Sequence, residues 1–260
     1  MLAIKDGILL AFQLLTTIPI RKQLPWDDRR AKWSVAAYPL TGLVLGILLA
    51  SFSYSLLTFT SLSILIVTSS VVTFSIIFSG GLHLDGWADF NDAIFSRRDV
   101  NKKLEIMKDS RIGAFGVLSL LLLLGWRFIL IFEMIHILEE EIIFFFLIIP
   151  FFTRMIMGAQ ILLAEFARNN GMAQALQPAK VAVIKWIYGL WFLIGMTAIV
   201  VVGLPYLSLF VGALLFLIVW IRFCSKQIGG ITGDTIGAGT EGSETWLWLI
   251  LFLLHSFVMV

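Results

Sequence analysis

Cysteine is nearly absent: Cys224 is the only one in 260 residues. A lone thiol excludes a disulfide framework and a cysteine-rich metal site. Charge is scarce as well, at 14% of residues with a net charge of +2. So small an excess gives no reason to expect nucleic acid or any strongly acidic partner. A cleavable leader is not expected, because the apolar stretch from Gly7 to Ile20 is short and is cut by Pro19 rather than by small residues. Proline/glycine linkers, low-complexity tracts and convincing internal repeats are missing too. Residues 1–260 therefore read as one domain, and an inverted-repeat transporter gains no support.

What is plentiful is apolar surface. Hydrophobic residues make up 59% of the chain, against about 45–50% in soluble domains. Lipid is the solvent that accommodates this excess, so the bilayer is the first expected partner. The sequence predicts an all-α, polytopic membrane helical bundle of about seven transmembrane helices (six to eight), each of about 20 residues. Apolar runs fall at 34–59, 62–82, 113–135, 142–164, 183–204, 206–221 and 245–260. Residues 4–20 are ambiguous between a span, an interfacial segment and a re-entrant one. Gly203 and Pro205 mark a tight helical hairpin.

Basic residues concentrate in 21–32, 83–112, 165–185 and 222–244, whereas the connections near 60, 136–141 and 203–206 carry no Lys or Arg. Alternating the spans puts all four basic loops on one side. The positive-inside rule makes that side the cytoplasm and the membrane the cell membrane.

The chemistry-bearing residues share that face. In Ser79–Gly116 a span ends at Gly80–Gly81 and a polar helix follows from about His83. Asp85, Asp89 and Asp92 then recur at i, i+4 and i+7, which places three carboxylates on one helical face. Adjacent anions at a membrane edge need a cation, and oxygen-only ligands favour Mg²⁺ or Mn²⁺. The bland alternative is a solvated acidic face. Gly86 would let a phosphate approach the backbone. Downstream, Lys108, Asp109 and Arg111 lie in KDSRIGAFG, a loop-to-helix entrance of the kind that favours anions.

A second motif, Gly229–Ala238, sets Gly233 and Asp234 in glycine-rich backbone suited to phosphate, with a flexible linker as the plain alternative. Arg127 and Arg154 lie inside spans, where charge is costly and usually faces a cavity or a partner. Arg154 is placed to reach a substrate phosphate, whereas Arg127 reads as structural. His83 adjoins the acids as a hydrogen-bonding helper or a ligand.

GLHLDGWADFNDA with SRR and LEIMKDSRIGAFG, and GGITGDTIGAGTE near the C-terminus, resemble the cobalamin synthase family. FQLLTTIPI, AYPLTGLVLG and Arg168-Asn169-Asn170-Gly171-Met172 are similar to its pattern as well, so the resemblance covers nearly the whole chain. It implies a single integral-membrane phosphotransferase domain with its active site on the cytoplasmic face. It implies Mg²⁺ as cofactor, and adenosylcobinamide-GDP and α-ribazole (or its 5′-phosphate) as substrates. A ribazole hydroxyl attacks the corrinoid phosphate and GMP leaves. On this reading the face formed by Asp85, Asp89 and Asp92 holds one or two metal ions, and one of these carboxylates, Asp92, sits off the metal and takes the proton. Asp89, Lys108 and Arg111 assist catalysis, while Gly86, Asp109, Arg154, Gly233 and Asp234 bind substrate phosphate. A homo-oligomer is compatible with the sequence. The acidic motif also resembles that of CDP-alcohol phosphatidyltransferases, the runner-up, but Asp89 stands where those enzymes have arginine. A transporter is the alternative from another class.

Overall fold

The computed structural model describes residues 2–259. Eleven α-helices account for most of them: α1 (Leu2–Leu15), α2 (Asp28–Ala36), α3 (Tyr38–Phe59), α4 (Ile64–Ser79), α5 (Leu82–Phe95), α6 (Val100–Ile106), α7 (Ala114–Leu138), α8 (Ile142–Leu163), α9 (Ala182–Val202), α10 (Leu207–Ile228) and α11 (Gly233–Phe257). The one extended pairing among the described residues is an isolated parallel bridge between Phe166 and Ile231.

The ambiguous N-terminal segment is resolved by length. α1 has 14 residues, about 21 Å of helix, which is too short for a hydrocarbon core of about 30 Å. It is a wall, not a span. Its buried Asp6 pairs with Lys22 at 3.0 Å and with Arg30 at 3.1 Å. These cations hold the Asp6 carboxyl below its usual range, the Lys22 hydrogen bond contributing most. At its other end Thr17 N–H donates to the Phe78 carbonyl at 2.8 Å, which ties this segment to the end of α4.

Residues 114–163 form one apolar helical run of 50 residues, but it cannot be one span, since it would be about 75 Å long. The chain reverses in a three-residue turn at Glu139–Glu141, entered by Glu139 at φ 50°. Arg127 and Arg154, on opposite sides of that turn, accordingly both lie in the field of Glu241 and Glu244 on α11. α8 then lies flush along α3, where Gly42 and Gly46 face the Pro150 and Leu147 carbonyls without room for a Cβ. Two small residues four apart allow this close backbone approach within a bilayer.

Seven helices (α3, α4 and α7–α11) thus alternate between two ends of the molecule. By length and apolarity four stretches qualify as spans, five if α4 and α5 count as one bent pair. The difference from the expected seven has three sources. The α7–α8 run is two helices, α4 has only 16 residues, and α11 begins with Asp234, Glu241 and Glu244 in its first half.

The predicted break after the second span is sharp. Gly80 and Gly81 adopt φ of +67° and +73°, left-handed conformations that glycine takes without a Cβ penalty. α5 leaves α4 at 89°. The acidic helix therefore lies across the end of the bundle instead of continuing through it.

Candidate active site

The two motifs, about 150 residues apart in sequence, meet where α5 crosses the start of α11. Gly86 marks the crossing: a Cβ there would lie 2.7 Å from the Asp234 carbonyl oxygen. The close approach expected of Gly86 is thus to α11 backbone. The expected glycine-rich loop is also largely helix. Thr232 caps α11, with Thr232 Oγ1 accepting from Thr235 N–H at 3.2 Å and Thr235 Oγ1 accepting from Thr232 N–H at 2.8 Å.

Between these elements lies a cavity of about 190 Å³. Asp85, His83 and Gly86 line it from α5, and Thr232, Gly233 and Asp234 from α11. Leu14 and Leu15 of α1, Tyr38 of α3 and Met157 of α8 close its apolar side, and residues 170–173 lie over it. Nothing approaches within 4 Å of where a Gly233 side chain would sit, so the first turn of α11 is open to a ligand. A helix N-terminus offers amide donors and a positive dipole end to an anion.

Asp85 is exposed at this cavity and Asp89 is half-buried one turn on. Burial, then the negative fields of Asp85, Asp234, Asp92 and Asp109, push the Asp89 carboxyl up to about 7. Among the described residues, no three Asp, Glu, His or Cys side chains stand close enough to enclose one ion. The three-carboxylate metal face expected on α5 is therefore not assembled, and Asp92 shows why.

Asp92 turns toward α7, where its carboxylate accepts from Gly113 N–H at 2.6 Å and from Gly116 N–H at 2.8 Å. A Cβ on Gly113 would fall 2.5 Å from Asp92 Oδ1, so glycine makes this seat. The anion-seeking helix entrance predicted in KDSRIGAFG is occupied by the chain's own carboxylate. Both of its oxygens are thus engaged by α7 amides, and Asp92 does not line the cavity.

The other expected residues divide. Arg111 is largely exposed and forks onto Asp109 at 3.0 and 2.6 Å. That contact holds the Asp109 carboxyl down to about 2. Lys108 is exposed nearby. Arg154 is only 3% exposed, has an unpartnered Nη1 and does not line the cavity. Arg127 is structural: its Nη1 lies 2.8 Å from Glu241 Oε2, and its Nη2 and Nε donate to the Glu241 carbonyl and Thr245 Oγ1. The cavity also includes His83, 1% exposed, with Nδ1 3.9 Å from Glu241 Oε1 and no hydrogen bond at either ring nitrogen.

A family model described as Cobalamin-5-phosphate synthase matches residues 7–252. An adenosylcobinamide-GDP ribazoletransferase of Halalkalibacterium halodurans is 44% identical over 253 residues, covering 95% of each chain. One from Geobacillus sp. is 42% identical over 267 residues, covering 98% of each. One from Clostridium perfringens is 34% identical over 233 residues, covering 89% of this chain and 91% of the relative. No solved structure matches.

Proposed function

The chain belongs to the cobalamin-5-phosphate synthase family, and from that premise we propose that it is an adenosylcobinamide-GDP ribazoletransferase. In the proposed reaction a ribose hydroxyl of α-ribazole, or of its 5′-phosphate, attacks the phosphorus nearer the corrinoid. The bridging P–O bond breaks and GMP leaves, so the corrinoid gains its nucleotide loop. The observation that carries this reading is the meeting of Asp85 and Gly86 with Gly233 and Asp234 around one cavity. It provides carboxylates for a cation and an open helix start for phosphate oxygens.

The donor set fits Mg²⁺. The carboxylates of Asp85 and Asp234 at the cavity offer oxygen only, and the crowding of acids around Asp89, which pushes its carboxyl up, is what a cation would relieve. Mg²⁺ is commonly held by one or two carboxylates plus substrate phosphates and water, so a three-acid cage is not required. Asp85 and Asp234 are the residues that would hold it. When bound, it would neutralise charge developing on the departing phosphate.

The α11 amides at Gly233 and Asp234 orient phosphate oxygens. Asp89, one turn along α5 from Asp85 and just outside the cavity lining, is the candidate acceptor for the proton of the attacking hydroxyl, its carboxyl being pushed up to about 7 by burial and by its acidic neighbours. Asp92, in place of a direct chemical role, locks α5 to the start of α7 and so fixes the position of Asp89. Lys108, Arg111 and Asp109 form the polar rim beside α5. The end of the molecule bearing this site also bears the basic loops, and the positive-inside rule supports a cytoplasmic site in a cell-membrane bundle.

The test is GMP release and cobalamin formation by the purified protein in detergent, with adenosylcobinamide-GDP and α-ribazole, with and without Mg²⁺. Asp85→Ala and Asp234→Ala, checked for helicity and melting, should lose at least about a hundredfold in rate. Folded wild-type protein that makes no cobalamin under any divalent cation would sink the reading, and a CDP-linked lipid would be the next donor tried.

A further inference from the structure

None of Lys108, Arg111 and Arg154 contributes to the lining of the cavity, yet a diphosphate needs a positive partner there. One cation does line it among the described residues: Arg168, on the segment that follows α8. Its position is built rather than incidental. The stretch 165–167 pairs with Ile231, Ile231 N–H donating to the Glu165 carbonyl at 2.8 Å and Ala167 N–H to the Ile231 carbonyl at 2.9 Å. Ile231 immediately precedes the Thr232 cap of α11, so this pairing sets Arg168 beside the first turn of that helix. The Arg168 guanidinium acts electrostatically on the Asp234 carboxylate.

Its own hydrogen bonding is incomplete. Arg168 Nη2 donates to the Leu104 carbonyl at 2.5 Å, which fixes the plane of the guanidinium. Nε is buried and has no partner in the protein. Of five donors on a rigid fork, one is spent on a tether and one is withheld from both water and protein. Burying a donor without a partner is unfavourable, and the remaining guanidinium donors belong to a side chain that lines the cavity. The cavity also carries two carboxylates, Asp85 and Asp234, against this single guanidinium. Against that negative charge, a guanidinium favours an incoming diphosphate, as a divalent ion would.

We propose that Arg168 is a substrate-binding residue that grips an oxygen of the donor's diphosphate, tethered by Leu104 and aimed by the 165–167/231 pairing. The inference rests on the transferase reading for the identity of the donor, but its chemistry, a guanidinium on a phosphate oxygen, can be tested separately.

Inorganic pyrophosphate is the probe, its affinity for the full-length protein in detergent measured by calorimetry without any corrinoid. Arg168→Gln keeps a donor for Leu104 but removes the charge. It should weaken pyrophosphate binding and raise the KM for adenosylcobinamide-GDP by about 10- to 100-fold each, the range for a charged hydrogen bond. The KM for α-ribazole should change less than twofold and the melting temperature should hold. Arg168→Lys keeps the charge without the fork and should lie between the two proteins. A folded Arg168→Gln protein with wild-type pyrophosphate affinity and donor KM overturns the proposal. So does a loss confined to melting temperature. If Arg168→Gln does not fold, wild-type affinity in Arg168→Lys overturns the fork-specific grip. Arg168-dependent pyrophosphate binding by a wild-type protein that makes no cobalamin would uphold the phosphate site and reject the transferase reading.

Discussion

At the scale of single residues, the three aspartates of α5 have three different surroundings although they share one helical face. Asp85 opens on the cavity, Asp89 is pushed up to about 7 by burial and by its acidic neighbours, and Asp92 is held by two α7 amides. Their contributions should separate in a pH profile. With Asp89 as base, kcat/KM should fall by about tenfold per pH unit below the Asp89 pKa, which is about 7 without a cation and is drawn lower by Mg²⁺ beside Asp85 and Asp234. The sign follows from the raised value: lowering the pH protonates the acceptor within the working range. Asp89→Asn should abolish this acidic limb along with most of the rate. Asp92→Asn should keep the limb and instead lose stability of about 1–3 kcal/mol, because its amide group faces an N–H donor. An acidic limb that disappears in Asp92→Asn and persists in Asp89→Asn would return the proton to Asp92. Sequence spacing could put the acids on one face but not say which one another helix would claim. The signal was present in Gly113 and Gly116, whose missing side chains make the seat.

At the scale of elements, most of the fold was legible from where apolar runs stop. The break at Gly80–Gly81, the polar helix that follows it and the hairpin at Gly203–Pro205 all appear as expected. What was not legible was the first part of α11. Gly233, Gly237, Gly239 and Gly242 suggest a loop by propensity, since glycine weakens a helix by about 1 kcal/mol relative to alanine. Packing reverses that preference, because a helix with bare faces can lie directly against α5 and α10. Gly86→Ala tests this crossing. Its Cβ would meet the Asp234 carbonyl at 2.7 Å, a backbone atom that cannot rotate away. Overpacking of this sort costs about 1–3 kcal/mol. The melting temperature should drop, and activity should fall further than that drop explains, because α11 carries Asp234 away from Asp85. Normal activity in Gly86→Ala would mean that the crossing is looser than the geometry describes.

At the scale of the whole molecule, buried charge joins the two halves. Arg127 of α7 bonds Glu241 of α11 at 2.8 Å and lies 3.7 Å from Glu244, a pairing the sequence allowed but could not assign to partners. Arg127→Leu would strand both glutamates, and breaking a buried pair costs about 3–5 kcal/mol. A protein that melts as the wild type does would show that these acids are already neutral. The orientation proposed for the bundle rests on a broader asymmetry, the basic loops lying at the active-site end and the Glu139–Glu141 turn at the other. The single cysteine makes this testable, because Cys224 is fully buried and can be replaced by serine. In that background, Ser110→Cys should react with a membrane-impermeant maleimide only in inverted vesicles. Glu140→Cys should react only in intact cells. The reverse pattern would put the phosphate site outside the cell and would contradict both the positive-inside assignment and the supply of a GDP-linked donor from the cytoplasm.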